Sequence, residues 1–187
     1  MSILFGPVVQ QGYVVPDSDK AISHWLSRGV GPFFVEVIDQ MDAMVWGETV
    51  KVDLTAAFAY SGDQQIEVIE PRGSTPSIYT TYLDKYADGG LQHLAVWVDD
   101  IDAKVAELKD KGLNYSVQQR YGASHAYLDN DDEPGVMIQL MTHNEAIDAM
   151  FDMIKEASET WDGQTDPVRR IDWSTGWPVI VDGSDKA

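Results

Sequence analysis

The feature that most constrains this chain is an internal repeat. The segment Gln10-Gln11-Gly12-Tyr13-Val14-Val15-Pro16-Asp17-Ser18-Asp19-Lys20-Ala21-Ile22 matches His93-Leu94-Ala95-Val96-Trp97-Val98-Asp99-Asp100-Ile101-Asp102-Ala103-Lys104-Val105 at a constant offset, 93 − 10 = 83 residues. The match continues with Trp25 on Leu108 and Gly29 on Gly112. Self-similarity at a fixed spacing means one supersecondary unit used more than once, its apolar face covered by its neighbour. Each copy reads as strand, tight turn, helix and glycine stop. The helix is predicted to begin after Ser18 in one copy and after Ile101 in the other. Ile22, Trp25 and Leu26, and Ile101, Val105 and Leu108, have helical spacing. Gly29 and Gly112 suit the left-handed position just past a helix end.

The second halves repeat more weakly. Phe58-Ala59-Tyr60 resembles His125-Ala126-Tyr127, and Ile66-Glu67-Val68-Ile69 resembles Ile138-Gln139-Leu140-Met141. Between these pairs the second copy is longer by five residues, and Asn130 to Gly135 reads as a hairpin loop. Phe33 to Val37 and Val50 to Leu54 are strand candidates in the first copy. The expected fold is therefore α+β: paired βαβββ modules, about 8–72 and 90–142, forming one curved mixed sheet around a cavity. Residues 1–143 form the domain. Residues 144–187 form a C-terminal helix and tail packed on it. Thr75, followed by Pro76, is the expected cap of a connecting helix with Ile78, Tyr79, Tyr82 and Tyr86 on one face. Asn144 caps a later helix with Ile147, Met150, Phe151 and Ile154 in phase. Trp161, Trp173 and Trp177 follow, and tryptophans in a solvated tail would expose much apolar area, so the tail should pack on the body or on a second subunit.

Charge narrows the partners. Lys and Arg number 13 against 31 Asp and Glu, a net charge of −18. Such a surface repels nucleic acid and anionic membranes, and counts mildly against a polyanionic substrate such as a coenzyme A ester. No stretch approaches the ~20 apolar residues of a membrane span. The first residues lack a basic region before an apolar run, so no signal peptide is expected. The chain has no cysteine, which excludes disulfides and thiolate chemistry and fits a reducing, cytoplasmic setting.

Side chains alternate across a strand. His93, Ala95 and Trp97 therefore share one face, while Leu94, Val96 and Val98 form an aliphatic other face that suits helix packing. By the repeat, Gln10, Gly12 and Val14 share the matching face. Gln65, Glu67 and Ile69 share one in the first closing strand; Met137, Gln139 and Met141 share one in the second. Gln10, Glu67, His93 and Gln139 thus occupy equivalent positions among small or apolar neighbours. Singly, a strand Gln or Glu usually faces solvent and a lone His is usually structural. Together they need a shared reason, because burying an unpartnered amide costs about 2–7 kcal/mol. A metal ion is one such reason, since all four can donate a lone pair.

These motifs resemble the vicinal oxygen chelate superfamily, in the branch that contains glyoxalase I, methylmalonyl-CoA epimerase and many glyoxalase-like proteins. The resemblance is carried by Gly12-Tyr13-Val14-Val15-Pro16-Asp17, Ile66-Glu67-Val68-Ile69-Glu70-Pro71, Gly90-Leu91-Gln92-His93-Leu94-Ala95-Val96-Trp97-Val98-Asp99-Asp100 and Gly135-Val136-Met137-Ile138-Gln139-Leu140. It implies a divalent metal (Zn, Ni, Co, Mn or Mg) held by Gln10, Glu67, His93 and Gln139. Family enzymes usually carry glutamate at the last position, where it often removes a proton next to a carbonyl. Gln139 cannot act as that base and brings no charge, so the metal is expected to be weakly bound or absent. Glu67 becomes the expected catalytic base, with His125 behind it. The expected pocket wall contains Ile69, Trp97, Met137 and His125, with Met141, and with Phe33, Phe34, Met41, Met44 and Trp46 nearby. The resemblance implies a metal-assisted lyase, isomerase or epimerase acting on a small hydrophobic carbonyl compound through an enolate or enediolate. A metal-free protein that sequesters a small molecule in the same cavity is the alternative. An extradiol dioxygenase is disfavoured, because its iron triad needs two histidines and Gln10 occupies the first. A homodimer is expected by the same resemblance.

Overall fold

The computed structural model describes residues 4–129 and 136–181; the predicted hairpin loop over 130–135 lies outside them. Each half of the repeat is a βαβββ module. The first comprises β1 (Gln10–Val14), α1 (Ser18–Leu26), β2 (Phe33–Val45), β3 (Glu48–Ser61) and β4 (Gln64–Arg72). After the connecting helix α2 (Ile78–Lys85), the second comprises β5 (Gly90–Trp97), α3 (Ile101–Asp110), β6 (Ser116–Tyr121), β7 (His125–Asp129) and β8 (Met137–Met141). A C-terminal extension adds α4 (Glu145–Thr160), β9 (Val168–Asp172) and β10 (Val179–Val181).

Within each module the first and last strands run parallel, β1 beside β4 and β5 beside β8. The modules join through antiparallel β1 and β5. Met44↔Arg120 and Val45↔Gln119 then bring β2 to β6 and close the eight repeat strands into a ring. Beyond the ring, β9 pairs in parallel with β2 over Phe33 to Val35, and β10 pairs with β9.

The repeat extends to the helix caps. Asp17 accepts a hydrogen bond from the Lys20 amide, and Asp100, 83 residues on, accepts one from Ala103. Such a cap contributes about 1 kcal/mol, and it starts each helix one residue earlier than predicted. The connecting helix is capped by Ser77, not Thr75. Ser77 accepts from the Thr80 amide while the Thr80 hydroxyl accepts from the Ser77 amide, a reciprocal box that outcompetes the upstream threonine. Asn144 caps α4 as the sequence predicts.

Helices α1 and α3 cover the outside of the ring. Ile22 packs with Phe33, Ala57, Ala59 and Ile66, and Leu108 packs with Val96, Ala126 and Leu140. Phe33 therefore lies in an outer cluster rather than beside a pocket; its neighbour Phe34 faces inward. The long helix α4 packs Met150 and Ile154 on Phe34, Ala56, Phe58 and Ile171. Trp173 joins this cluster, whereas Trp177 is 47% exposed. One repeat alignment shifts. Phe58 pairs with Glu67 and Tyr127 pairs with Gln139, so Phe58 corresponds to Tyr127 and not to His125. A slip of two residues keeps every side chain on its face, which is why alternation alone does not reveal it.

Candidate active site

Two small residues let four polar side chains meet inside the ring. Gly12 of β1 is paired with Glu67 on one side and His93 on the other. Ala95 of β5 is likewise paired with Gln10 and Gln139. A Cβ on Gly12 would lie 1.9 Å from His93 Cε1, so the imidazole occupies the space that any other residue at position 12 would fill. Gln10, Glu67, His93 and Gln139 are 2%, 7%, 0% and 3% exposed, so bulk water does not supply their partners.

Their hydrogen bonds leave lone pairs unanswered. The Gln10 amide nitrogen donates to Gln65 Oε1 at 2.6 Å, and that of Gln139 donates to the Tyr127 hydroxyl at 2.9 Å. Both amide oxygens then have no partner. His93 Nδ1 lies 2.6 Å from Gln92 Oε1, an acceptor, which makes Nδ1 the protonated nitrogen. Neutral His93 therefore presents a bare Nε2 lone pair to Glu67 Oε2 at 3.1 Å. Two acceptors in that relation need a shared positive centre between them, a metal ion or a proton. The donor set fits a divalent metal: one imidazole nitrogen, one carboxylate and two amide oxygens. Among the described residues no three His, Cys, Asp or Glu side chains gather at one point, so the set depends on the two glutamines. Gln65 Nε2 is also unpartnered, and a cation does not satisfy that donor.

Three of the four, Gln10, Glu67 and Gln139, line a cavity of about 460 Å³ together with apolar residues such as Leu54, Ile69 and Met141. Ile69 and His125 sit in this wall. Met137 does not; it borders a separate groove with Trp46, Tyr82 and Gln92. Trp97 stacks on His143 at 4.1 Å and packs on Phe151, which itself lines the cavity. The extension supplies part of the wall through Met150, Phe151 and Trp173.

Burial sets the protonation of this wall. It raises the Tyr127 and Tyr79 hydroxyls well above their usual range, helped by the Glu67 charge, so both keep their protons. Burial lowers His125 despite the attraction of Glu67, which favours neutral imidazole. Glu36 of β2 is the acidic wall residue that sequence reasoning missed. Burial pushes its carboxyl up to about 7, opposed by a hydrogen bond from Trp173 and reinforced by Glu67. Its signal was present: in the predicted strand Phe33 to Val37, Glu36 shares the face of Phe34. Gln92, Tyr127 and Gln65, which orient the quartet, were missed because each fixes another side chain across the fold.

The closed pair of βαβββ modules and the inward-facing quartet define a glyoxalase-type protein. The chain belongs to the Glyoxalase/Bleomycin resistance protein/Dioxygenase superfamily, whose sequence profile matches residues 9–128. Mitochondrial methylmalonyl-CoA epimerase of Mus musculus is 32% identical over 130 residues, 67% of this chain and 67% of its own. The Bos taurus enzyme is 28% identical over 91 residues, covering 46% of this chain and 51% of that protein. In three dimensions, methylmalonyl-CoA epimerase from Mycobacterium tuberculosis superposes with a TM-score of 0.53 at 21% identity, covering 80% of this chain and 96% of its own.

Proposed function

We propose that this chain is a metal-assisted enzyme of the epimerase or isomerase type, acting on a compact, hydrophobic carbonyl compound. The observation that carries the proposal is the set of unanswered lone pairs: Gln10 Oε1, Gln139 Oε1 and His93 Nε2 facing Glu67. Each unsatisfied buried group costs about 1–3 kcal/mol, which a divalent cation held by these four side chains would relieve. When bound, the cation would polarise a carbonyl oxygen and acidify the neighbouring C–H. Gln65 and Tyr127 fix the two amides, Gln92 fixes the imidazole, and the apolar wall excludes water. The kinship with methylmalonyl-CoA epimerases supports proton transfer beside a carbonyl as the reaction type.

We favour a smaller, uncharged substrate than theirs. No lysine or arginine is among the described residues that line it, and the chain carries a net charge of −18. A coenzyme A thioester with its phosphates would meet no cation there, whereas an uncharged apolar ligand would meet leucine, isoleucine, methionine and aromatic side chains. A second reading, metal-free sequestration of an apolar molecule, draws on the same wall and on the alternative of a proton between His93 and Glu67.

Metal content by mass spectrometry, on protein purified without tag or chelator, separates the two. Near-stoichiometric metal, lost in His93→Ala, supports the enzyme. No metal, and none taken up from micromolar Co, Ni, Mn or Zn, overturns it and leaves sequestration. We also infer a homodimer, because Val179, Ile180 and Val181 on the edge strand β10 are all exposed, and unpaired apolar edges invite pairing. A monomer mass in light scattering would refute it.

A further inference from the structure

Gln139 removes the carboxylate that the family pattern offers as a base, and Glu67 is engaged by His93 at 3.1 Å. A carboxyl is nevertheless present in the wall. Glu36 lies inward on β2, two strands from Glu67: it pairs with Ala56, which pairs with Ile69, two residues along β4 from Glu67. It is the only carboxyl besides Glu67 among the described residues lining the cavity. Trp173 Nε1 donates to its Oε2 at 2.5 Å. Other ionisable groups around it are Glu67 on β4, Tyr79 on α2, Tyr121 on β6, His125 and Tyr127 on β7, and Arg169, whose guanidinium sits over the Phe34 ring at 5.4 Å.

We infer that Glu36 is the proton-transfer group of this site, and that Trp173 of the C-terminal extension is its positioning residue. The inference rests on the proposed epimerase or isomerase reading. In the step, a carboxylate oxygen of Glu36 takes the hydrogen beside the carbonyl as a proton. The C–H bond breaks, an O–H bond forms, and the bonding pair moves toward the carbonyl oxygen as an enolate. Delivery of a proton to the opposite face of the same carbon completes epimerisation. In an α-hydroxy carbonyl compound, return of the proton to the former carbonyl carbon, with the hydroxyl proton passing to the former carbonyl oxygen, completes isomerisation, and neither consumes anything else. Three properties suit Glu36 to this work. It is outside the quartet, and Trp173 engages only its Oε2. It faces an apolar cavity that would hold a hydrophobic carbonyl compound. Its burial pushes its carboxyl up to about 7, which matches donor and acceptor strength near neutral pH. The indole N–H holds one oxygen and leaves the other for the substrate. Residues of the extension thereby become part of the reacting site.

The test compares the full chain with Glu36→Gln and Trp173→Phe. Carbon-13 NMR of glutamate-labelled, metal-free protein follows the carboxyls, the Glu36 signal being identified by its loss in Glu36→Gln. The same proteins loaded with cobalt are assayed for exchange of the α-hydrogen of 2-hydroxy-1-phenylpropan-1-one in deuterated water. Glu36 should titrate near neutral pH, and Trp173→Phe should move that titration upward, because the indole hydrogen bond favours the charged form. Exchange should fall about 100-fold or more in Glu36→Gln with cobalt binding unchanged. In Trp173→Phe the rising limb of the exchange–pH profile should move to higher pH, a change that lost packing alone does not produce. Ordinary titration of Glu36, full exchange by Glu36→Gln, or no exchange by the cobalt-loaded full chain would each overturn the inference. Failure of every chain to bind cobalt would instead overturn the metal-assisted reading, while the titration still judges Glu36.

Discussion

Substituting Gly12 by alanine tests the closest approach in the site. In an ordinary strand, Gly→Ala stabilises by about 0.4–1 kcal/mol, because the unfolded chain loses freedom. Here the sign should reverse. The added Cβ would stand 1.9 Å from His93 Cε1 and 2.1 Å from Nε2, whereas carbon atoms settle at about 3.5–4.0 Å. The ring must therefore move by roughly 1.5–2 Å, yet it is 0% exposed and held by Gln92 and Glu67. Overpacking costs about 1–3 kcal/mol, and a buried hydrogen-bonding group left without its partner costs about 1–3 more. A net loss of about 2–5 kcal/mol follows. For a chain of this length each kcal/mol is worth about 2–4 °C, so the melting temperature should fall by roughly 4–20 °C in thermal circular dichroism. The counterpart Ala95→Gly removes a Cβ rather than adding one, and should cost only about 0.5–1 kcal/mol. Cobalt affinity should fall at least about tenfold in Gly12→Ala, in the range seen when a ligand's orientation is disturbed. An unchanged or higher melting temperature would refute the reasoning, since it would mean that His93 does not sit across Gly12.

Three further outcomes are expected. Glu36 carries its proton up to about 7 when folded but only to 4.5 in its ordinary state, so the folded chain binds that proton more tightly. Its contribution is full below about pH 4.5 and is lost by pH 7, up to about 3 kcal/mol; urea unfolding at pH 5 and pH 8 should show Glu36→Gln lacking this decline, and parallel profiles would refute the shift. Ile154 is 0% exposed beneath α4, so Ile154→Ala should lower stability by about 2–5 kcal/mol in urea with an unchanged slope; a loss under about 1 kcal/mol would mean that α4 is loosely docked. Because the net charge is −18, raising salt from 0.01 to 0.15 M, which shortens the screening length from about 30 to about 8 Å, should raise the melting temperature; a fall would show that ion pairs such as Lys155–Asp63 outweigh the repulsion.

The 83-residue offset made the modules, the helix caps and the glycine stops readable in the chain, because repetition doubles a local signal. The quartet was readable for the same reason: polar residues fell at matched inward positions in both copies. What escaped depends on contacts that no local pattern encodes. The two-residue slip relating Phe58 to Tyr127 preserves alternation. Strands β2 and β3 run on to Val45 and from Glu48, well past the apolar cores that announced them, because each finds a partner along its length. The strands β9 and β10 have no counterpart in the repeat. Glu36 looked like an ordinary strand glutamate until α4 and Trp173 were placed over it.

Backbone pairing in the ring is uneven, and ligand size should follow from that. The β2–β6 seam consists of Met44↔Arg120 and Val45↔Gln119 at one end, while β9 takes the same edge of β2 only over Phe33 to Val35. Between them, around Glu36 to Met41, the wall facing Tyr121 is built from side chains rather than strand-to-strand hydrogen bonds. Widening the ring there breaks no ladder and costs only rotamer changes and dispersion contacts. Elsewhere every such adjustment would sever main-chain bonds. Guests of different girth should therefore be accommodated first along this stretch, by local shifts of residues 36–41 against Tyr121, with the β2–β6 seam and strands β1, β4, β5 and β8 holding the quartet fixed.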